Sequence, residues 1–181
     1  MSNWTQVMET VVRERRPALV GYAYLMTGSR DEAEDLVQEA IVRTFARGRA
    51  KNSVQQAEAY IKRAIANESI NRSRHRLVVE QRNPVMATPH AAPSHDVAVS
   101  AKADLEAALE VLSPRERAVT VLKYVDDLTI AAIAAVLKLS EGTVKRYLAN
   151  SAVKLREQLG DDAVDTTERD TVPVTLTESR P

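Results

Sequence analysis

Glu34, Asp35 and Glu39 stand close together on a helical repeat, where carboxylates could ligate a hard cation or divide acid and base roles. Neither chemistry finds the rest of its apparatus. No second carboxylate cluster completes a metal shell, and His75, His90 and His95 follow no ligand spacing. The chain has no cysteine, which removes thiol catalysis, disulfides and cysteine zinc sites. It also carries no phosphate-cradling glycine loop and no nucleophile elbow. The expectation is a protein that is not an enzyme, with no catalytic residue, no metal and no cofactor.

Recognition of a polyanion is the other chemistry on offer. Formal net charge over the 181 residues is zero, but its distribution is uneven. Asp31, Glu32, Glu34, Asp35 and Glu39 form an acidic block. From Arg43 through Arg82 the chain turns basic, interrupted only by Glu58, Glu68 and Glu80. A neutral chain polarised in this way can hold nucleic acid on one face and a protein partner on another. Solvated helix faces would give the same charge pattern.

The elements that must position these residues read as helices almost throughout. Glycine is scarce, and alanine, leucine, arginine and glutamate abound. Helical spacing predicts a first helix over 5–27, with Met8, Val11, Val12, Leu19, Val20, Tyr22, Ala23 and Leu25 apolar and a kink or break at Pro17. Gly28 stops it. Ser29 with Glu32 is a capping-box signature for a second helix ending at Gly48. On that helix Ala33, Leu36, Val37, Ala40, Ile41 and Thr44 share one stripe. Residues 48–53 read as a basic loop. A third helix spans roughly 54–75, with Ala57, Tyr60, Ile61, Ala64 and Ile65 inward. Periodicity fails over 77–100, where Pro84, Pro89 and Pro93 mark an expected flexible linker.

A second helical unit spans 101–159. Leu105, Ala108, Leu109 and Leu112 form its first stripe. Ser113-Pro114-Arg115-Glu116 combines a cap, a proline at the first helical position and a capping glutamate. Thr129 is a candidate cap for a short helix over 130–138. Leu139-Ser140 makes a tight turn, and a long helix runs from Glu141 to about Leu159. This is a helix-turn-helix. Ile130, Ile133, Ala134, Leu137, Leu139, Val144 and Leu148 pack it. Glu141, Thr143, Lys145, Arg146, Tyr147 and Asn150 are left wholly or partly outward, and such a surface suits a DNA major groove. The acidic, Thr- and Pro-containing tail over 160–181 is expected to be disordered. Met1 to Glu9 lacks a basic start followed by an apolar block, so no signal peptide is expected. No apolar run suits a membrane span, and the expected location is the cytoplasm.

Two stretches carry a family resemblance. Ala33-Glu-Asp-Leu-Val-Gln-Glu-Ala-Ile-Val-Arg-Thr-Phe45 resembles the polymerase-binding segment of extracytoplasmic-function (ECF) RNA polymerase sigma factors. Leu112-Ser-Pro-Arg-Glu-Arg-Ala-Val, through Ser140-Glu-Gly-Thr-Val-Lys-Arg146, resembles the promoter-reading helix-turn-helix of the same family. The resemblance covers about residues 5–159. It implies an all-α chain of two small domains, region 2 over 1–76 and region 4 over 101–159, joined by the linker. Region 2 would bind the largest-subunit coiled coil of core RNA polymerase through Asp35, Leu36, Gln38, Glu39, Val42 and Arg43. It would open the promoter −10 element through the loop residues Arg49, Lys51 and Asn52 and through Arg63, Asn67, Asn71, Arg72, Arg74 and Arg76. Asn67 matches the asparagine that captures a flipped base. Region 4 would read the −35 element as duplex through Thr129, Glu141, Thr143, Lys145, Arg146, Tyr147 and Asn150. An anti-sigma factor is a further partner the family allows, although the sequence identifies none.

Residues 112–155 also resemble the effector domain of LuxR-type regulators. Such proteins carry a ligand-sensing or α/β receiver domain upstream, whereas residues 1–76 read as all-helical with no strand-helix alternation. The sigma factor reading is therefore preferred.

Overall fold

Short polar side chains start helices here. Ser29 Oγ accepts from the Glu32 amide at 3.4 Å, and Thr129 Oγ1 accepts from the Ala132 amide at 3.2 Å. Ser113 forms the full reciprocal box: its Oγ takes the Glu116 amide, and its own amide donates to Glu116 Oε2 at 2.9 Å. Such caps satisfy amides that the first helical turn leaves without partners.

The computed structural model describes residues 3–46, 53–82 and 100–159, and every regular element in them is a helix. The order is α1 (Asn3–Thr10), a π-helical segment (Val11–Arg15), α2 (Arg16–Thr27), α3 (Arg30–Phe45), α4 (Val54–Arg82), α5 (Ser100–Glu110), α6 (Pro114–Tyr124), α7 (Ile130–Leu137) and α8 (Glu141–Leu159). The loop residues Arg49, Lys51 and Asn52, the stretch 83–99 with His90 and His95, and the tail 160–181 lie outside the described residues.

The expected break near Pro17 is the π-helical segment just before it. Proline lacks an amide hydrogen and crowds the carbonyl four residues back, and a wider turn relieves both. The third helix continues through Arg82, past the expected limit near His75, because no breaker occurs before Pro84. Tyr60, expected inward, and Leu105, expected on the packing stripe, are exposed instead, as is the apolar Val12 of the first helix. On α4 the interior stripe is Ala57, Ile61 and Ile65, and Tyr60 lies one residue, about 100°, around the helix from it. Val12 flanks the buried Val11 in the same way, and Leu105 sits a turn before Leu109 on the rim of α5.

α2, α3 and α4 pack together around Leu19, Ala23, Val37, Ile61 and Ile65. α6, α7 and α8 pack around Val119, Leu122, Ile133 and Val144. The two groups do not stand apart. α6 also lies against α2 and α4, α7 touches α4, and one buried apolar cluster runs through both. Arg117 of α6 sits at this junction. It donates twice to the Leu109 carbonyl, at 2.9 and 2.6 Å, and its Nη1 lies 2.9 Å from where a Cβ on Gly28 would stand. Gly28 closes α2 at φ +71°, a left-handed conformation that favours glycine, and a Cβ there would press on the end of the Arg117 side chain. Burial pushes the Arg117 pKa down, while Glu110 and Tyr24 act in the other direction.

Glu116 is buried and joins α6 to α8 through Lys154 Nζ at 2.8 Å. Burial acts to raise its pKa, but Lys154 and the Ser113 amide and hydroxyl outweigh it and hold the carboxyl below the usual range. A depressed folded pKa contributes stability above the unfolded pKa and loses it as pH falls through the folded value. Glu116→Gln is therefore expected to cost about 1 kcal/mol at pH 7. Urea denaturation at pH 7 and pH 3 should show that difference shrinking in acid. An equal difference at both values would mean that the charge of Glu116 is not what counts.

Candidate nucleic-acid interface

α8 presents the surface expected of a recognition helix. Ser140 Oγ caps it, accepting from the Thr143 amide at 3.2 Å and bonding Thr143 Oγ1 at 2.8 Å. Val144 is fully buried against the core and fixes the helix roll. Glu141, Lys145, Arg146 and Asn150 are exposed, and Thr143 and Tyr147 are half-buried. Arg146 stacks over the Tyr147 ring at 5.7 Å. Thr129 is exposed, but its hydroxyl is occupied in capping α7. α7 ends at Lys138 in the left-handed region, φ 55°, and the sharp turn there sets α8 across it.

Arg115 was not among the expected contacts. It is exposed at the start of α6 and donates from Nη1 to Tyr147 Oη at 3.3 Å, which adds a cation beside Arg146. Its signal in the sequence is a positive charge in the first turn of a helix, where the helix dipole disfavours it.

α3 has two unlike faces. The stripe from Ala33 to Thr44 is buried as expected, while Asp35, Gln38, Val42 and Arg43 point to solvent. Val42 is 60% exposed, an apolar side chain left in water. Leu36 requires correction as a partner contact: at 1% exposure it belongs to the interior stripe and no partner can reach it. Glu39 is bound by Arg72 Nη2 at 2.7 Å and by Arg43. The Arg72 hydrogen bond, with help from Arg43, lowers its pKa against the effect of burial.

The expected −10 residues of α4 fall on two sides. Arg63, Asn71 and Arg74 are exposed, with half-buried Asn67 between them at helical spacing; the Asn67 amide donates to the Arg63 carbonyl at 2.9 Å. Arg72 and Arg76 face α3 instead, where Arg76 reaches Glu32 at 2.7 Å. Spacing alone could not separate these sides, because both stripes are polar. Among the described residues no helix is long and apolar enough to cross a membrane, and no His, Asp and Glu cluster could hold a metal ion.

Sigma-70 region 2 matches residues 11–77, and Sigma-70, region 4 matches residues 102–155. The RNA polymerase sigma-E factor of Streptomyces avermitilis is 33% identical over 158 residues, covering 87% of each chain. The chain belongs to the ECF sigma factor family. An ECF RNA polymerase sigma factor of Bacillus subtilis, SigW, is 27% identical over 151 residues, 76% of this chain and 81% of that one. Among solved structures, the sigma factor RpoE from Bartonella quintana, in complex with the anti-sigma factor NepR, has the same fold. Its TM-score is 0.66 at 23% identity, over 85% of this chain and 96% of that one. As a sigma factor, the protein directs RNA polymerase to promoters through regions 2 and 4 and is not an enzyme. The region 2 match falls on the π-helical segment and α2 to α4, and the region 4 match on α5 to α8.

Proposed function

We propose that the exposed face of α3, with Asp35, Gln38, Glu39, Val42 and Arg43, docks core RNA polymerase on its largest-subunit coiled coil. The supporting observation is Val42, an exposed apolar centre ringed by charged and amide groups on a helix whose opposite face is fully buried. An apolar centre with a polar rim is the usual make-up of a protein interface. Region 2, ending at Arg82, then opens the −10 element along the Arg63, Asn67, Asn71 and Arg74 side of α4, joined by Arg72 and Arg76. Region 4, beginning at Ser100, reads the −35 element as duplex with Thr143, Lys145, Arg146, Tyr147 and Asn150, flanked by Thr129 and Glu141, and Arg115 joins them on the backbone. A cytoplasmic location is part of this proposal, in keeping with work on a promoter. An anti-sigma factor is proposed as a partner, since the Bartonella quintana relative of similar fold is held in such a complex.

The test is co-elution of the purified chain with core polymerase on size-exclusion chromatography. Asp35→Arg is expected to weaken that complex at least tenfold, because a reversed charge in an interface costs several kcal/mol. Duplex binding by region 4 should be untouched. Equal loss of both would refute the division of labour.

A further inference from the structure

The junction between the two regions centres on one carboxylate. Asp126, in the turn after α6, accepts from Tyr22 Oη through Oδ2 and from Lys62 Nζ through Oδ1, both at 2.8 Å. Both donors belong to region 2. Lys62 also lies over the Tyr22 ring, 5.0 Å from its centre. The Asp126 side chain is 11% exposed and Tyr22 is buried. Beside them opens a cleft of about 310 Å³, walled by Gln55, Glu58, Lys62, Arg63, Asp126 and Leu128.

This arrangement cannot persist on a promoter. The −10 and −35 elements lie about 25 base pairs, roughly 85 Å, apart along B-form DNA. A compact chain of this length has a radius of gyration of about 16 Å, so one closed body does not reach both. Region 4 must leave α2 and α4, and Asp126 leaves with it. Tyr22 then loses its acceptor, and Lys62 keeps only Glu58, 4.0 Å away, so two converging donors face the opened cleft. They adjoin Arg63, the first residue of the exposed polar side of α4. A nucleic-acid strand running along that side brings its phosphates to this point.

We propose that Tyr22 and Lys62 form a phosphate-binding site for the opened promoter strand, which Asp126 fills in the free chain. The inference rests on the assignment of α4 to the −10 strand. A phosphate offers two unbridged oxygens in place of the two carboxylate oxygens. Lys62 and Arg63 supply the countercharge. Glu58 opposes it, but its carboxylate is drawn toward Arg15, 3.7 Å away, as well as toward Lys62. The site therefore selects nucleic-acid backbone without regard to base. In the free chain the Asp126 turn shields it from non-specific strands.

The native absence of cysteine allows a clean test on the full chain. Glu9→Cys on α1 and Val153→Cys on α8, both exposed, carry a dye pair that reports the distance between regions. Binding of a twenty-residue oligothymidylate is followed by anisotropy over a salt series. Asp126→Asn is expected to lower energy transfer and to tighten oligothymidylate binding at least threefold. Adding Lys62→Gln should remove that gain and make the salt slope shallower by about 0.7. Adding Tyr22→Phe instead, which deletes one hydroxyl, should remove part of it. Lower transfer with unchanged oligothymidylate affinity would make Asp126 a mere clasp and overturn the site. Unchanged transfer and affinity together would overturn it as well. If neither the wild-type chain nor Asp126→Asn bound oligothymidylate although transfer fell, the assignment of α4 to the −10 strand would itself be refuted, and the site with it.

Discussion

Replacing Lys145 and Arg146 together with alanine is expected to weaken binding of −35 duplex by about 10²-fold at low salt. Both side chains are exposed on α8, and among the described residues no salt bridge engages either, so their charges are available to DNA. Arg146 is braced on the Tyr147 ring, which limits the freedom it loses on binding. Phosphate contacts release counterions, so removing two of them should make the salt slope shallower by up to about 1.8. A large affinity loss with an unchanged slope would assign the pair to base edges alone. Unchanged affinity would mean that α8 is not the reading helix.

The second large effect falls on the scaffold. Ile133 is completely buried on α7, where it holds the helix-turn-helix to the core. Ile133→Ala is expected to cost about 2–5 kcal/mol from lost burial and the cavity left behind. A helical unit as small as region 4 has little stability to lose, since about 60 residues bury only a modest core. Loss of α7 and α8 by circular dichroism, with loss of duplex binding, should follow near 37 °C. Ile133→Val, with about 0.5–1.5 kcal/mol at stake, should keep both. A cost below 1 kcal/mol for the alanine variant would show that α7 is loosely held.

The helices and their starts were legible because the controlling information is local. Ser29 with Glu32, and Ser113 with Glu116, announce their caps three residues ahead, and the α3 stripe repeats at the helical period. The helix-turn-helix surface followed from the same rule once Val144 was placed inward. Errors arose where periodicity has no sharp edge. Tyr60 is apolar enough to count as core, yet it stands one step around α4 from the stripe that is buried. Leu36 was claimed by both the interior and the partner face, and burial decided for the interior. The contact between regions left no trace in the sequence. Asp126 read only as a turn residue, and its partners lie 64 and 104 positions away. Arg117 read only as part of the stretch resembling the family's helix-turn-helix, whereas its guanidinium is buried against Leu109 and beside Gly28.

The apolar cluster that runs from α2 through α6 to α7 sets the occupancy of the working form. On the proposal that promoter DNA engages only molecules whose two regions have parted, its apparent affinity falls in proportion to that fraction. Every 1.4 kcal/mol by which the shared cluster favours the closed form costs about tenfold in apparent affinity. If core polymerase holds the regions apart, as the proposed docking implies, it restores the lost affinity without touching a base. Small changes in the packing of Leu122 or Ala118 thus tune transcriptional output while every DNA-contacting side chain stays the same.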